Sequence, residues 1–94
     1  MATEPTKLQI RLPDDQRGGA YCNLVIINHS PDEFVLDFVF VQPGQPQAEV
    51  RSRIILSPGH AKRFLSALGN NIGSYEAIFG KIQPHPTGPS GESN

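Results

Sequence analysis

Nine residues, Glu33-Phe-Val-Leu-Asp-Phe-Val-Phe-Val41, constrain this chain more than any others. Side chains alternate across a strand with period two. Phe34, Leu36, Phe38 and Phe40 therefore share one face, and Val35, Asp37, Val39 and Val41 share the other. One face carries four large apolar groups. The opposite face is apolar too, interrupted by a single acid. Such a strand belongs in the middle of a sheet and wants cover on both sides.

The flanking segments supply the rest of the sheet. Lys7 to Leu12 alternates, with Leu8, Ile10 and Leu12 on one side, and reads as a short first strand ended by Pro13. Asp14 to Gly19 reads as a flexible loop. Ala20 to Asn28 is a second strand with an apolar run from Leu24 to Ile27. Pro31 suits the second position of a type I turn between Ser30 and Asp32, and Pro43-Gly44 the two central positions of a type II turn. Glu49 to Leu56 completes the set. Pairing the last two strands with Asp37 opposite Arg53 also sets Phe40 against Val50, Phe38 against Ser52, Leu36 against Ile54 and Phe34 against Leu56. On the other face Val39 meets Arg51 and Val35 meets Ile55.

Ser57-Pro58 opens a helix: Ser is a favoured N-cap, and Pro is tolerated where the first N–H has no helical partner. Ala61, Phe64, Leu65, Leu68, Ile72, Tyr75 and Phe79 recur at spacings of three and four, one apolar stripe. Gly80 stands where a terminating glycine belongs. Twenty-two helical residues span about 33 Å and a nine-residue strand about 30 Å, so one helix is long enough to cover one sheet face. The predicted fold is α+β: an antiparallel meander of three long strands and a short N-terminal one, then one long C-terminal helix across one face. Residues 7–82 form one domain, residues 1–6 fray, and the Pro/Gly/Ser-rich residues 83–94 are expected to be disordered.

Chemistry is not written into these residues. His29, His60 and His85 have no Cys or carboxylate at a ligand spacing, which argues against a metal. Cys22 alone on a strand reads as a small buried hydrophobe rather than a nucleophile, and a single Cys fits a reducing, cytoplasmic setting. Gly18-Gly19 precedes a strand, the wrong context for a phosphate loop. The chain is 94 residues long with 8 basic and 9 acidic residues, so nothing in its overall charge seeks nucleic acid or an anionic membrane. No apolar run approaches the roughly 20 residues of a bilayer span. No catalysis and no cofactor are expected.

The helix covers one face only, so the other face is the expected interface: Val25, Ile27, Val35, Asp37, Val39, Val41, Arg51, Arg53 and Ile55. Strand two could instead offer Leu24 and Ile26 there. Gly69 and Gly73 lie four apart on a flank of the helical stripe. Each costs about 1 kcal/mol relative to Ala in a helix; the pair reads either as plain tolerance or as close backbone approach of a neighbouring element, such as one from a second subunit.

The run Asn28-His-Ser-Pro-Asp-Glu-Phe34 with Leu36-Asp-Phe38 is distinctive. Around it stand Gly19-Ala-Tyr21, Asn23-Leu-Val25, Pro43-Gly44, Arg53-Ile54, Ser57-Pro58, Ala61-Lys62, Asn71-Ile72, Tyr75-Glu76 and Phe79-Gly80. Between Gly19 and Ile82 the chain resembles a bacterial family known as domain of unknown function 3467. Gly69 and Gly73 depart from the helix-forming residues expected there. The resemblance implies no established activity; it implies small bacterial proteins, in some lineages encoded beside the gene for the RNA polymerase β′ subunit. The order of strands and helix is also similar to that of the SecB-type export chaperones. The leading expectation is a homo-oligomeric interaction module, a homodimer or dimer of dimers that also binds another protein, as an accessory of transcription. A holdase for extended apolar segments is the second reading, and nucleic-acid binding through Arg51 and Arg53 the third.

Overall fold

The computed structural model describes residues 7–84. Strands β1 (Leu24–His29), β2 (Phe34–Val41) and β3 (Ala48–Leu56) form an antiparallel sheet in the order β1-β2-β3, and helix α1 (Pro58–Phe79) follows. The fold class is α+β, as the patterning indicates. The expectations for residues 1–6 and 85–94 lie outside the described residues.

The turns form where their residues demand. The Ser30 N–H donates to the Glu33 carbonyl at 2.9 Å, and the Asp32 N–H to the Ser30 hydroxyl at 3.2 Å, leaving Pro31 and Asp32 at the tip. At the second hairpin Gly44 takes φ +82°, a conformation open to Gly at little cost, and the Gln45 N–H returns to the Gln42 carbonyl at 3.1 Å. Ser57 caps α1 by accepting from the His60 N–H at 3.1 Å, and Gly80 ends it at φ +95°.

Asp37 pairs with Arg53, Phe38 with Ser52, Leu36 with Ile54, Val35 with Ile55 and Phe34 with Leu56, as expected. Beyond Phe38 the register shifts: Val39 faces Val50 and Phe40 faces Glu49. A bulge leaves Arg51 without a ladder partner. The expected pairs Phe40–Val50 and Val39–Arg51 are thus each displaced by one residue.

Two further expectations fail. Lys7 to Leu12 forms no strand and joins no sheet among the described residues, and Leu8 and Ile10 are 83% and 87% exposed. Alternation gives a segment two faces; it does not supply a neighbouring edge. The helix, second, does not lie across the sheet. None of its residues is buried, and its stripe residues Leu65 and Phe79 are 66% and 70% exposed. The connection explains this. Only Ser57 separates β3 from α1. Strand-to-helix links that lay a helix back onto its own sheet run about 2–6 residues. Packed layers stand roughly 8–10 Å apart, whereas one residue spans at most about 3.6 Å. Ser57 is also held extended, at φ −68° and ψ 157°, by the proline that follows it.

The interior is correspondingly small. Among the described residues, Leu36 at 5% exposure and Val39 at 3% are the buried apolar side chains.

Candidate functional site

The loop between β1 and β2 has an even number of residues, so His29 stands opposite Phe34 and each earlier residue of β1 shares a face with its partner. Val25 then faces Phe38, and Ile27 faces Leu36. Both sit on the Phe-rich face, not with Asp37 as expected. Leu24 and Ile26 take those places, opposite Val39 and Asp37.

The Asp37 face is built from Leu24 and Ile26 on β1, Val35, Asp37, Val39 and Val41 on β2, and Val50, Arg53 and Ile55 on β3. Asp37 is 7% exposed, an unusual place for a carboxylate. Arg53 makes it tolerable. Its Nε donates to Oδ1 at 2.7 Å and its Nη2 to Oδ2 at 2.9 Å, a bidentate fork. The hydrogen bonds from Arg53 hold the Asp37 carboxyl below the ordinary carboxylate range; burial opposes them, and the guanidinium charge adds to them. The same pairing raises Arg53 further. Around this neutralised pair Ile26, Val50 and Ile55 remain exposed.

The bulge turns Arg51 away from that group. Its guanidinium lies 5.1 Å from the centroid of the Phe40 ring, and its Nε is 4.0 Å from Glu49. Tyr21 meets the same ring edge-on at 6.1 Å. Arg51 therefore belongs with Phe40 and not with the expected interface set. Both arginines nominated for phosphate contact are engaged by acids of their own chain.

The Phe-rich face carries Val25, Ile27, Phe34, Leu36, Phe38, Phe40, Ile54 and Leu56, with His29 stacked on Phe34 at 5.4 Å. At its Phe40 end it also carries the exposed Glu49–Arg51 pair, 4.0 Å apart, whereas the close bidentate pair of Asp37 and Arg53 sits in the middle of the other face. Ile27 and Ile54 are exposed, and the three phenylalanines are only half-buried.

Asn23 is a structural residue that sequence reasoning missed. Its side-chain amide donates to the Val41 carbonyl at 3.0 Å and accepts from the Val41 N–H at 2.9 Å. Its own backbone N–H donates to the Val39 carbonyl at 3.0 Å. The side chain thus stands in for one more rung of the ladder and lets the backbone leave the sheet. This is why β1 begins at Leu24 rather than at Ala20. The available signal was a single carboxamide immediately before an apolar run.

The chain matches the family described as Protein of unknown function (DUF3467) over residues 1–84. It belongs to that family. No curated protein and no solved structure matches it.

The remaining candidates in this DUF3467 chain carry less. Among the described residues nothing beyond the helix's own backbone would come within 4 Å of a Cβ at Gly69 or Gly73, so the close-approach reading finds no neighbour there. Cys22 is half-buried and free. Among the described residues there is no cluster of three or more His, Cys, Asp or Glu side chains suited to a metal. No helix is long and apolar enough to cross a membrane, again among the described residues. An open depression of about 240 Å³ beside Phe40 is lined by Gln42, Gln45, Gln47, Ala48, Glu49 and Arg51. That lining offers side-chain amides and the Glu49–Arg51 ion pair.

Proposed function

We propose that this protein is a non-enzymatic homo-oligomeric interaction module, stable only when its apolar faces are covered by other polypeptide. The observation that carries this is the size of its interior. Among the described residues Leu36 and Val39 are the buried apolar side chains, and a domain of this size already buries too little surface to be more than marginally stable alone. Soluble monomers rarely expose a continuous apolar patch beyond about 600 Å². Here two sheet faces and one helical stripe are all partly bare. A second copy is the cheapest cover, and twofold pairing the commonest form of it.

The two sheet faces suit different roles. Desolvating the Asp37–Arg53 pair is costly unless its remaining valences are met. The face around it, with Leu24, Ile26, Val35, Val39 and Ile55, therefore suits a second-level contact: a dimer of dimers or a different protein. Association with the transcription machinery stands on the gene neighbourhood that the family resemblance brings. Sedimentation of the wild-type chain at micromolar concentration tests the module; a monomer there overturns it. Capture from native lysate then identifies the second-level partner, and Ile55→Glu should lose that partner while keeping the primary oligomer.

The holdase reading draws on the same exposed apolar surface. It predicts that a stoichiometric amount of the protein suppresses light scattering by an aggregating, unfolded client. Unchanged scattering leaves the interaction module alone.

A further inference from the structure

We infer that α1 is exchanged between two copies, each helix lying across the Phe-rich sheet face of the other subunit. This deepens the oligomeric reading above and rests on it. The chain contains both halves of a helix-on-sheet layer but does not bring them together. The donor is the stripe of Ala61, Phe64, Leu65, Leu68, Ile72, Tyr75 and Phe79, which spans about 100° of the helix and carries no charge. The acceptor is the face built on Phe34, Leu36, Phe38 and Phe40. Their lengths agree, at about 33 Å for 22 helical residues and about 26–30 Å for strands of eight and nine.

The corner at Ser57-Pro58 decides where the helix goes. A single extended residue followed by proline leaves no slack for α1 to turn back over its own strands, and every stripe residue from Phe64 onward is exposed. Short, stiff connections of this kind favour exchange of an element between identical copies. Exchange satisfies donor and acceptor together, in equal number and with a closed twofold.

The surface available is sufficient. Six stripe side chains from Phe64 to Phe79 are 39–70% exposed, which leaves roughly 500 Å² bare per helix for side-chain areas of about 100–200 Å². Two helices and the sheet surface they cover reach about 2,000 Å², at the upper end of standard interfaces and the lower end of obligate ones. The Asp37 face is the poorer acceptor: its ion pair sits mid-strand, where an uncharged stripe would strip its water without replacing its contacts, whereas the Glu49–Arg51 pair lies at the Phe40 end of the Phe-rich face and is largely exposed.

Cross-linking in a Cys22→Ser background tests the exchange. Chains carrying Phe38→Cys alone are unfolded and refolded together with chains carrying Leu68→Cys alone, then treated with a short bismaleimide. Exchange predicts a cross-linked band at twice the chain mass in the mixture. It also predicts such a band, and not an internally bridged monomer, from a chain carrying both substitutions. A dimer by sedimentation that yields only internal bridges, or only Leu68-to-Leu68 links between helices, overturns the exchange while leaving the oligomeric module intact. A wild-type monomer overturns both. The wild-type chain gives the same answer without substitution, should the cysteine variants misfold. In a mixture of isotopically labelled and unlabelled copies, isotope-filtered NOEs should link the Leu68 and Ile72 methyls of one subunit to the Phe38 and Phe40 rings of the other. Their absence from a proven dimer overturns the exchange.

Discussion

Replacing Leu65, Leu68 and Ile72 together by Ala separates a helix that is merely exposed from one that is covered by a partner. The three side chains are 66%, 47% and 40% exposed in a single copy. Fully burying a Leu or Ile is worth about 2 kcal/mol. The fraction still open to water therefore represents about 2.5 kcal/mol per helix, allowing for the methyl that Ala keeps. A twofold dimer contains the substitution twice, so association should weaken by about 5 kcal/mol, or three to four orders of magnitude in Kd. The helix itself should not suffer. Ala is the best helix former, and each exchange improves intrinsic propensity by a few tenths of a kcal/mol. A loss of assembly thus has no trivial origin in helix fraying. Sedimentation equilibrium across nanomolar to high micromolar concentration measures the shift, with Lys62→Ala/Arg63→Ala on the opposite side of the helix as a control expected to behave as wild type. If the triple variant associates with wild-type affinity, the stripe is not an interface, and neither exchange nor any other use of it survives.

Three further outcomes follow from the geometry. Asn23→Ala removes two hydrogen bonds to Val41; at about 0.5–1 kcal/mol each for an exposed site, denaturant unfolding should show a loss of about 1–2 kcal/mol, and a loss below a few tenths would mean the side chain is not a rung. Ser57→Ala deletes the cap on the His60 N–H and should cost about 1 kcal/mol in the same assay, with Ser57→Asp largely neutral. Asp37 has a folded pKa held below its unfolded value of about 3.9 by Arg53. Its contribution is therefore complete above that unfolded value and is lost as pH falls through the folded one. The stability gap between wild type and Asp37→Asn should be constant at neutral pH and close below about pH 4; a gap that stays constant down to pH 2 would show that the Arg53 pairing does not act through the Asp37 charge.

The parts of this fold that sequence reading recovered are those written in local chemistry. The Phe34–Val41 strand announces itself by its run, the Pro43-Gly44 turn by its φ requirement, and α1 by Ser57, its apolar spacing and Gly80. The Asp37–Arg53 pair was legible because one acid in an apolar strand needs a cation at one register. The failures occur where a local pattern is silent about its partner. The alternation of Leu8, Ile10 and Leu12 describes a strand without naming an edge. Val25 and Ile27 were assigned to the wrong face because both phases of Leu24–Ile27 are apolar, so only the loop length distinguishes them. The bulge at Arg51 adds one residue to β3 without any Gly or Pro to mark it. The stripe on α1 marks an apolar face without naming what covers it; on the exchange inferred above, the short Ser57-Pro58 link decides which copy does.

The same corner governs the order of events when the chain folds. All pairing in the sheet joins neighbouring strands through short turns, so the meander can form within one molecule, in the microseconds-to-milliseconds regime of low contact order. Burial of the helix, on the exchange inferred above, must wait for a collision. Refolding should therefore split into a fast phase independent of dilution and a slow phase whose rate rises with protein concentration. In the interval the meander exposes its Phe-rich face to every other chain in solution, and the yield of folded protein becomes a race between meeting a twin and meeting something else.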